Sequence, residues 1–132
     1  MCIFCKIING EIPSFKVYET EDLVAFLDIS QATKGHTLIV PKKHVENLLT
    51  LDNETLQKIS VAQKEVANLL SKKLGTNNFN FVNNCGSVAG QSVMHVHFHV
   101  IPRYEDDNFK MHIVKNEPNF DELSKLHKLI TK

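Results

Sequence analysis

The sequence predicts an α+β protein: a five-stranded antiparallel sheet carrying one long helix, with short helices near the two ends. Three observations lead there. Five short runs are rich in β-branched and aromatic residues. A single long stretch, Asp52 to Leu74, repeats its apolar residues every three or four positions. The strand-like runs do not alternate regularly with helices, as a doubly wound parallel sheet would require. At 132 residues the chain has room for one core but not two, so we read 1–132 as a single domain with its core at about 2–103 and an extension over 104–132.

After the Cys2-Ile3-Phe4-Cys5 start, Lys6 to Gly10 reads as a short helical turn, closed by Gly10 and broken by Pro13. Lys16–Glu19 and Leu23–Asp28 are the first two strand-like runs. Thr37–Pro41 is the third; Pro41 limits its extension, because proline has no N–H to give to a ladder. Between Asp52 and Leu74, the residues Leu56, Ile59, Ala62, Val66, Leu70 and Leu74 share one helical face, with Asp52 suited to cap the start and Gly75 the end. Phe79, Phe81 and Val82 mark a fourth strand and Met94 to Arg103 a fifth. The polar loop Asn83 to Ser92 joins them and contains Gly86 and Gly90. Near the end, Asn119 as a cap and Phe120, Leu123, Leu126 or His127, and Ile130 at helical spacing give a short amphipathic helix. There is no internal repeat or low-complexity linker.

Fifteen Lys and Arg balance fifteen Asp and Glu, so no overall field draws the chain to a nucleic acid or an anionic membrane. Any anion must be held by local groups. The apolar runs fall far short of a membrane span, and no charged-then-apolar leader stands at the start. Three cysteines, Cys2, Cys5 and Cys85, are an odd number that does not suit a secreted disulfide scaffold. The expectation is a cytoplasmic protein with neither membrane nor nucleic acid as partner.

The chemistry is concentrated in His95-Val96-His97-Phe98-His99-Val100-Ile101. Strand side chains alternate faces, so three imidazoles share one surface over about 13 Å while Val96, Phe98 and Val100 point into the core. Two plainer readings exist. One is a half-exposed strand that happens to carry histidines; the other is a three-histidine metal centre, for which no carboxylate or cysteine lies within the motif. The glycines of the preceding loop let backbone N–H groups gather around an anion, although without the triad beside it the loop would be an ordinary strand connection.

This His-φ-His-φ-His-φ-φ pattern resembles the signature of the histidine triad (HIT) family, in its nucleotide-binding branch. The likeness extends upstream in the same order through Asp28-Ile29, the run from Gly35 to His44, Asn84 and Gly90-Gln91-Ser92, and covers about Cys2 to Arg103. It implies a hydrolase or transferase in which His97 attacks the α-phosphorus of a nucleoside monophosphate group, forming a nucleotidyl-histidine that water hydrolyses. An imidazole suits that role, because near neutral pH one ring nitrogen can attack while the other keeps its proton.

The resemblance also implies the remaining roles. The carbonyl of His95 would hold the second N–H of His97, and His99 would hydrogen-bond a phosphate oxygen, so that His95, His97, His99 and Ser92 make the catalytic set. Asn84, Gly90, Gln91 and Ser92 would form the nucleotide-binding loop, with Gln91 and Ser92 touching phosphate and leaving group and Ser92 able to protonate a departing amine. Asp28 would accept from the ribose hydroxyls, and Ile7, Phe26 and Ile29 would line the base pocket. His36 lies at a family position near the triad, where a plain strand-entry histidine is an equal reading.

The expected substrates are nucleoside 5′-phosphoramidates or related nucleotidyl conjugates of purines, cleaved to the monophosphate. The alternatives are a dinucleoside polyphosphate hydrolase and a nucleotide-binding regulatory or scaffold protein with incidental turnover. The resemblance further implies a homodimer whose two sheets join into ten strands, helped by the helix Asp52–Leu74; edge strands lend themselves to such pairing.

Cys2-x-x-Cys5 has the spacing at which two thiolates reach one ion, although spacing alone leaves an unligated pair equally open, and a redox motif is disfavoured because no βαβ unit follows it. A subset of the family carries this pair together with a histidine after Pro-Lys-x and the first triad histidine, and binds zinc with them. The resemblance therefore implies a structural Zn²⁺ on Cys2, Cys5, His44 and His95, with Cys85 left as a free thiol.

Overall fold

Leu23-Val24-Ala25-Phe26 and Leu38-Ile39-Val40-Pro41 are apolar without a break, the pattern of strands covered on both faces. The computed structural model, which describes residues 2–132, places both at the centre of one antiparallel sheet. Its strands are β1 (Lys16–Glu19), β2 (Leu23–Leu27), β3 (Thr37–Pro41), β4 (Phe79–Val82) and β5 (Phe98–Pro102), in the spatial order β1-β2-β3-β5-β4. With α1 (Ile3–Ile8), α2 (Asn53–Leu74) and α3 (Phe120–Thr131), the class is α+β as the sequence predicts.

Alternation along the strands sorts the core into two layers. On one face Ala25, Ile39, Phe98 and Val100 meet Ile59, Ala62, Val66 and Leu70 of α2. On the other, Val24, Phe26, Leu38 and Val40 pack beneath Phe4 of α1. Burying each of these large side chains contributes about 1.5–3 kcal/mol relative to exposure. The helix α2 begins where the Asp52 carboxylate accepts from the Thr55 N–H at 2.9 Å and ends at Gly75, whose φ of 77° is the left-handed conformation glycine adopts without steric cost.

Three boundaries differ from the sequence reading, each for a local reason. The first helix spans Ile3–Ile8 rather than Lys6 to Gly10, because the Cys2 sulfur caps it by accepting the Cys5 N–H at 3.3 Å. Strand β2 stops at Leu27, since Asp28 turns the chain by taking the Ser30 N–H on its own carboxylate at 2.8 Å. Strand β5 starts at Phe98 instead of Met94. Ile39 pairs with Phe98, so continuing the ladder would set Val96 opposite Pro41, which has no N–H to offer. Val96 instead donates its N–H to the Val45 carbonyl at 2.7 Å, and the Asn83 amide donates to the His97 carbonyl at 3.0 Å. Two short 3₁₀ turns, Leu48–Thr50 and Ser87–Ala89, were not foreseen.

Beyond the sheet, Arg103 fastens the chain with hydrogen bonds to Asp107 and to the Phe109 carbonyl. The expected terminal helix forms as α3, with Asn119 accepting from the Glu122 N–H at 3.1 Å, and none of its residues is buried. No helix among the described residues is long and apolar enough to cross a membrane.

Candidate active site

Although His95 and His97 precede β5 and only His99 lies within it, the alternation expected of a strand persists through the triad. Val96, Phe98 and Val100 enter the core under α2, while the rings of His95 and His97 turn to the other face and meet the edge of Phe4, with centroids 5.9 and 5.0 Å away. His95 and His97 are buried and His99 is half-buried.

Hydrogen bonds assign the ring protons. His97 Nδ1 lies 2.8 Å from the His95 carbonyl oxygen. A carbonyl only accepts, so Nδ1 carries the hydrogen and Nε2 keeps its lone pair. By the same logic the Pro41 carbonyl, 2.8 Å from His95 Nε2, fixes the His95 proton there and leaves Nδ1 as the bare nitrogen. His99 Nδ1 lies 2.9 Å from His36 Nε2, and the His97 and His99 rings are 5.3 Å apart between centroids. Burial, with the neighbouring His97 and His36 rings adding to it, brings the His99 imidazole down to about 4. His99 is therefore neutral at physiological pH.

The loop before the triad turns on Gly86 and Gly90, whose φ values of 93° and 98° favour glycine. Asn84 lies against Gly90. Gln91 requires a correction. Its side chain is buried, with Oε1 accepting the Gly86 N–H at 2.8 Å and Nε2 donating to the carbonyls of Glu46 and Val93 at 2.7 and 2.9 Å. An amide so fully engaged shapes the loop and has no polar atom left to touch a phosphate. Ser92, at the loop's end, is exposed.

Asp28 sits just past β2, with one carboxylate oxygen committed to Ser30 and the other 3.7 Å from His36 Nε2. It lines a cleft of about 190 Å³ together with Ile7, Phe26 and Ile29, so the four residues expected to hold ribose and base surround one space. Two roomier grooves flank α2, but no histidine, cysteine or carboxylate lines either, so neither offers comparable chemistry.

At the opposite end of the triad, Cys2, Cys5, His44 and His95 converge. The two sulfurs are 3.3 Å apart, the two Nδ1 atoms 3.2 Å, and the four sulfur–nitrogen distances run from 3.3 to 3.6 Å. These six lengths are the edges of a nearly regular tetrahedron, whose centre is about 2.1 Å from each corner, within the range of zinc–nitrogen and zinc–sulfur bonds. The donor set fits zinc, and the Pro41 carbonyl has already turned the His95 lone pair inward. The His95 side chain is thus directed at Pro41 and the two cysteines, and the part expected of His95 in the catalytic set is played by its backbone. Its carbonyl is what touches His97.

The HIT domain model matches residues 9–106. The chain belongs to the HIT family. A HIT-like protein of Methanocaldococcus jannaschii is 57% identical over 107 residues, 81% of this chain and 82% of that one. An adenosine 5′-monophosphoramidase of Saccharomyces cerevisiae is 44% identical over 128 residues, 96% of this chain and 78% of the yeast protein. Among solved structures, a Streptococcus mutans protein superposes with a TM-score of 0.93 at 46% identity, covering 98% of this chain and 82% of that one. A zinc-bound histidine triad protein of Mycobacterium smegmatis superposes with a TM-score of 0.79 at 31% identity, covering 97% and 96%.

In this HIT chain sequence reasoning left two contributors unresolved. Phe4, which abuts two triad rings, is indistinguishable in sequence from any core aromatic. His36 stands out only through its Gly35-His36-Thr37 setting, and its contact with His99 spans 63 residues.

Proposed function

We propose that this HIT protein hydrolyses purine nucleoside 5′-phosphoramidates and related nucleotidyl conjugates through a covalent nucleotidyl-histidine on His97. The observation that carries this reading is the His95 carbonyl on His97 Nδ1, which leaves the Nε2 lone pair as a nucleophile beside the neutral His99 and the glycine loop. The naming of the yeast relative as a phosphoramidase supports the substrate class.

In the proposed reaction His97 Nε2 bonds to phosphorus as the P–N bond breaks. The bonding pair leaves with the amine nitrogen, which takes a proton from the Ser92 hydroxyl. Water then attacks phosphorus and gives a proton back to the Ser92 oxygen as the P–Nε2 bond breaks, so that the imidazole and the serine hydroxyl are both restored and the monophosphate is released. Asp28 would accept from the ribose hydroxyls, Ile7, Phe26 and Ile29 would hold the base, and Asn84 and Gly90 would border the phosphate.

We assign Cys2, Cys5, His44 and His95 to a structural Zn²⁺, which would tie α1 to the sheet and supply no chemistry to the substrate. The zinc-bound mycobacterial relative supports this assignment. Homodimerisation is part of the same reading. Edge strand β4 carries stacked Phe79 and Phe81, with Phe81 exposed, and pairing it with a second copy would extend the sheet to ten strands. Sedimentation equilibrium should then return twice the 15.0 kDa chain mass. A cytoplasmic setting suits cysteines that must stay reduced to bind metal.

The direct test is turnover of adenosine 5′-phosphoramidate, read as AMP and ammonia released in equal amounts, beside a diadenosine polyphosphate. Preference for the amidate is expected. Turnover of the polyphosphate alone, or of neither compound, overturns the reading.

A further inference from the structure

We propose that His36 is a positioning residue: it fixes the tautomer of His99 so that His99 presents an N–H, not a lone pair, to the bound phosphoryl group. The inference rests on the reading of the triad as a phosphoryl site, but its geometry stands independently.

The polarity of the relay originates at a backbone amide. The Ala32 N–H donates to His36 Nδ1 at 3.1 Å, and a backbone N–H can only donate. His36 Nδ1 is therefore an acceptor without a hydrogen, and the neutral ring must carry its hydrogen on Nε2. That atom faces His99 Nδ1 at 2.9 Å, whereas Asp28 Oδ2, at 3.7 Å, lies beyond hydrogen-bond distance. The hydrogen accordingly goes to His99 Nδ1, which accepts it and so cannot bear one of its own. His99 is left with its hydrogen on Nε2, the ring nitrogen not engaged by His36. Each link follows from the one before, and the first link cannot reverse. The polarity of the chain, from amide to His36 to His99, is set.

The surroundings keep the chain in place. The Gln31 side-chain amide donates to the carbonyls of Asp28 and His36, both at 2.7 Å, and its oxygen accepts the Gly35 N–H at 2.7 Å, fixing the turn that carries Ala32 to the start of β3. Gly35 turns this segment with a φ of 96°, a conformation that favours glycine, and sits close against Leu74 of α2 and Pro102 of β5. His36 itself is buried. Burial draws both imidazoles down, the direction that keeps the two rings neutral and the tautomer meaningful. Without the relay, the other His99 tautomer would aim a lone pair at phosphate oxygens and repel them.

The test reads ring nitrogens directly. Long-range ¹H–¹⁵N correlation spectra of histidine-labelled protein at pH 7 should show His36 and His99 both protonated on Nε2 alone. His36→Gln keeps an N–H near His99 Nδ1 and should preserve the His99 tautomer with kcat within a few-fold of wild type. His36→Leu should yield a tautomer mixture and lower kcat about 10- to 100-fold with little change in KM, the scale of losses when a supporting partner is removed. A His99 protonated on Nδ1 in the wild type, or a His36→Leu protein whose His99 remains purely Nε2-protonated, overturns the proposal. Should His36→Leu not fold, the wild-type spectrum alone decides. The spectra also decide the relay where amidate turnover is absent, which separates its failure from failure of the functional reading.

Discussion

Each imidazole of the triad is assigned its work by what touches its second nitrogen. A carbonyl on His97 Nδ1 leaves at Nε2 the lone pair that the proposed attack requires, a carbonyl on His95 Nε2 leaves a lone pair facing Cys2 and Cys5, and in the proposed relay the imidazole on His99 Nδ1 leaves a donor at Nε2. The alternation of histidines was legible in the sequence because strand periodicity is local. The resemblance also implied the tautomer of His97, whose partner His95 is two residues away, whereas those of His95 and His99 were not legible, since they depend on Pro41 and His36, more than fifty residues off. Gln91 was misjudged for the same reason: its partner Glu46 lies 45 residues distant. Ser92, exposed at the end of the loop Gln91 braces, is the proton donor proposed for the leaving group. Ser92→Ala should cost about 10²-fold or more on an alkyl amidate, which needs a proton to depart, and far less on an activated ester. Equal losses on both substrates remove Ser92 from this role.

At the scale of elements, α2 and most strand positions followed from apolar spacing, whereas the ends of α1 and β5 did not. Cysteine is an unusual cap, and the sulfur of Cys2 serves both the helix N-terminus and the tetrahedron with Cys5, His44 and His95. Zinc there would join α1 to the residues just past β3 and just before β5, bringing Phe4 against the triad rings. Protein purified without chelator or nickel should contain about one zinc per chain. Cys2→Ser/Cys5→Ser should lose the metal and melt at lower temperature, because binding energy for the folded state adds to folding energy. Below its melting range the double mutant should retain much of its amidate turnover. Metal-free wild-type protein contradicts the assignment, and a folded mutant without any turnover would make the metal catalytic.

For the whole molecule, the sheet separates support from chemistry: α2 covers one face, and α1, the cleft and the triad occupy the other. The chemical face holds His36 buried and His99 half-buried, with desolvation drawing both imidazoles down, so acid must act on stability with a definite sign. Above pH 6.5 these rings are neutral in the folded and unfolded chain alike. Between 6.5 and the folded value of about 4 for His99, the unfolded chain binds protons that the folded one refuses, so stability falls as pH drops through that window. Melting temperature should be level from pH 8 to 7 and decline from 6.5 toward 4; a level profile down to pH 4.5 contradicts the burial of neutral rings. In the proposed reaction His97 Nε2 bonds to phosphorus, and that bond can be trapped. Rapid acid-free quenching of wild-type protein with adenosine 5′-phosphoramidate, followed by peptide mass spectrometry, should find one adenylyl group on the peptide containing His97. His97→Ala should show no adduct and lose turnover by several orders of magnitude while still binding AMP, since removing a nucleophile spares ground-state contacts. Full turnover in His97→Ala, or an adenylyl group on any other residue, contradicts the account.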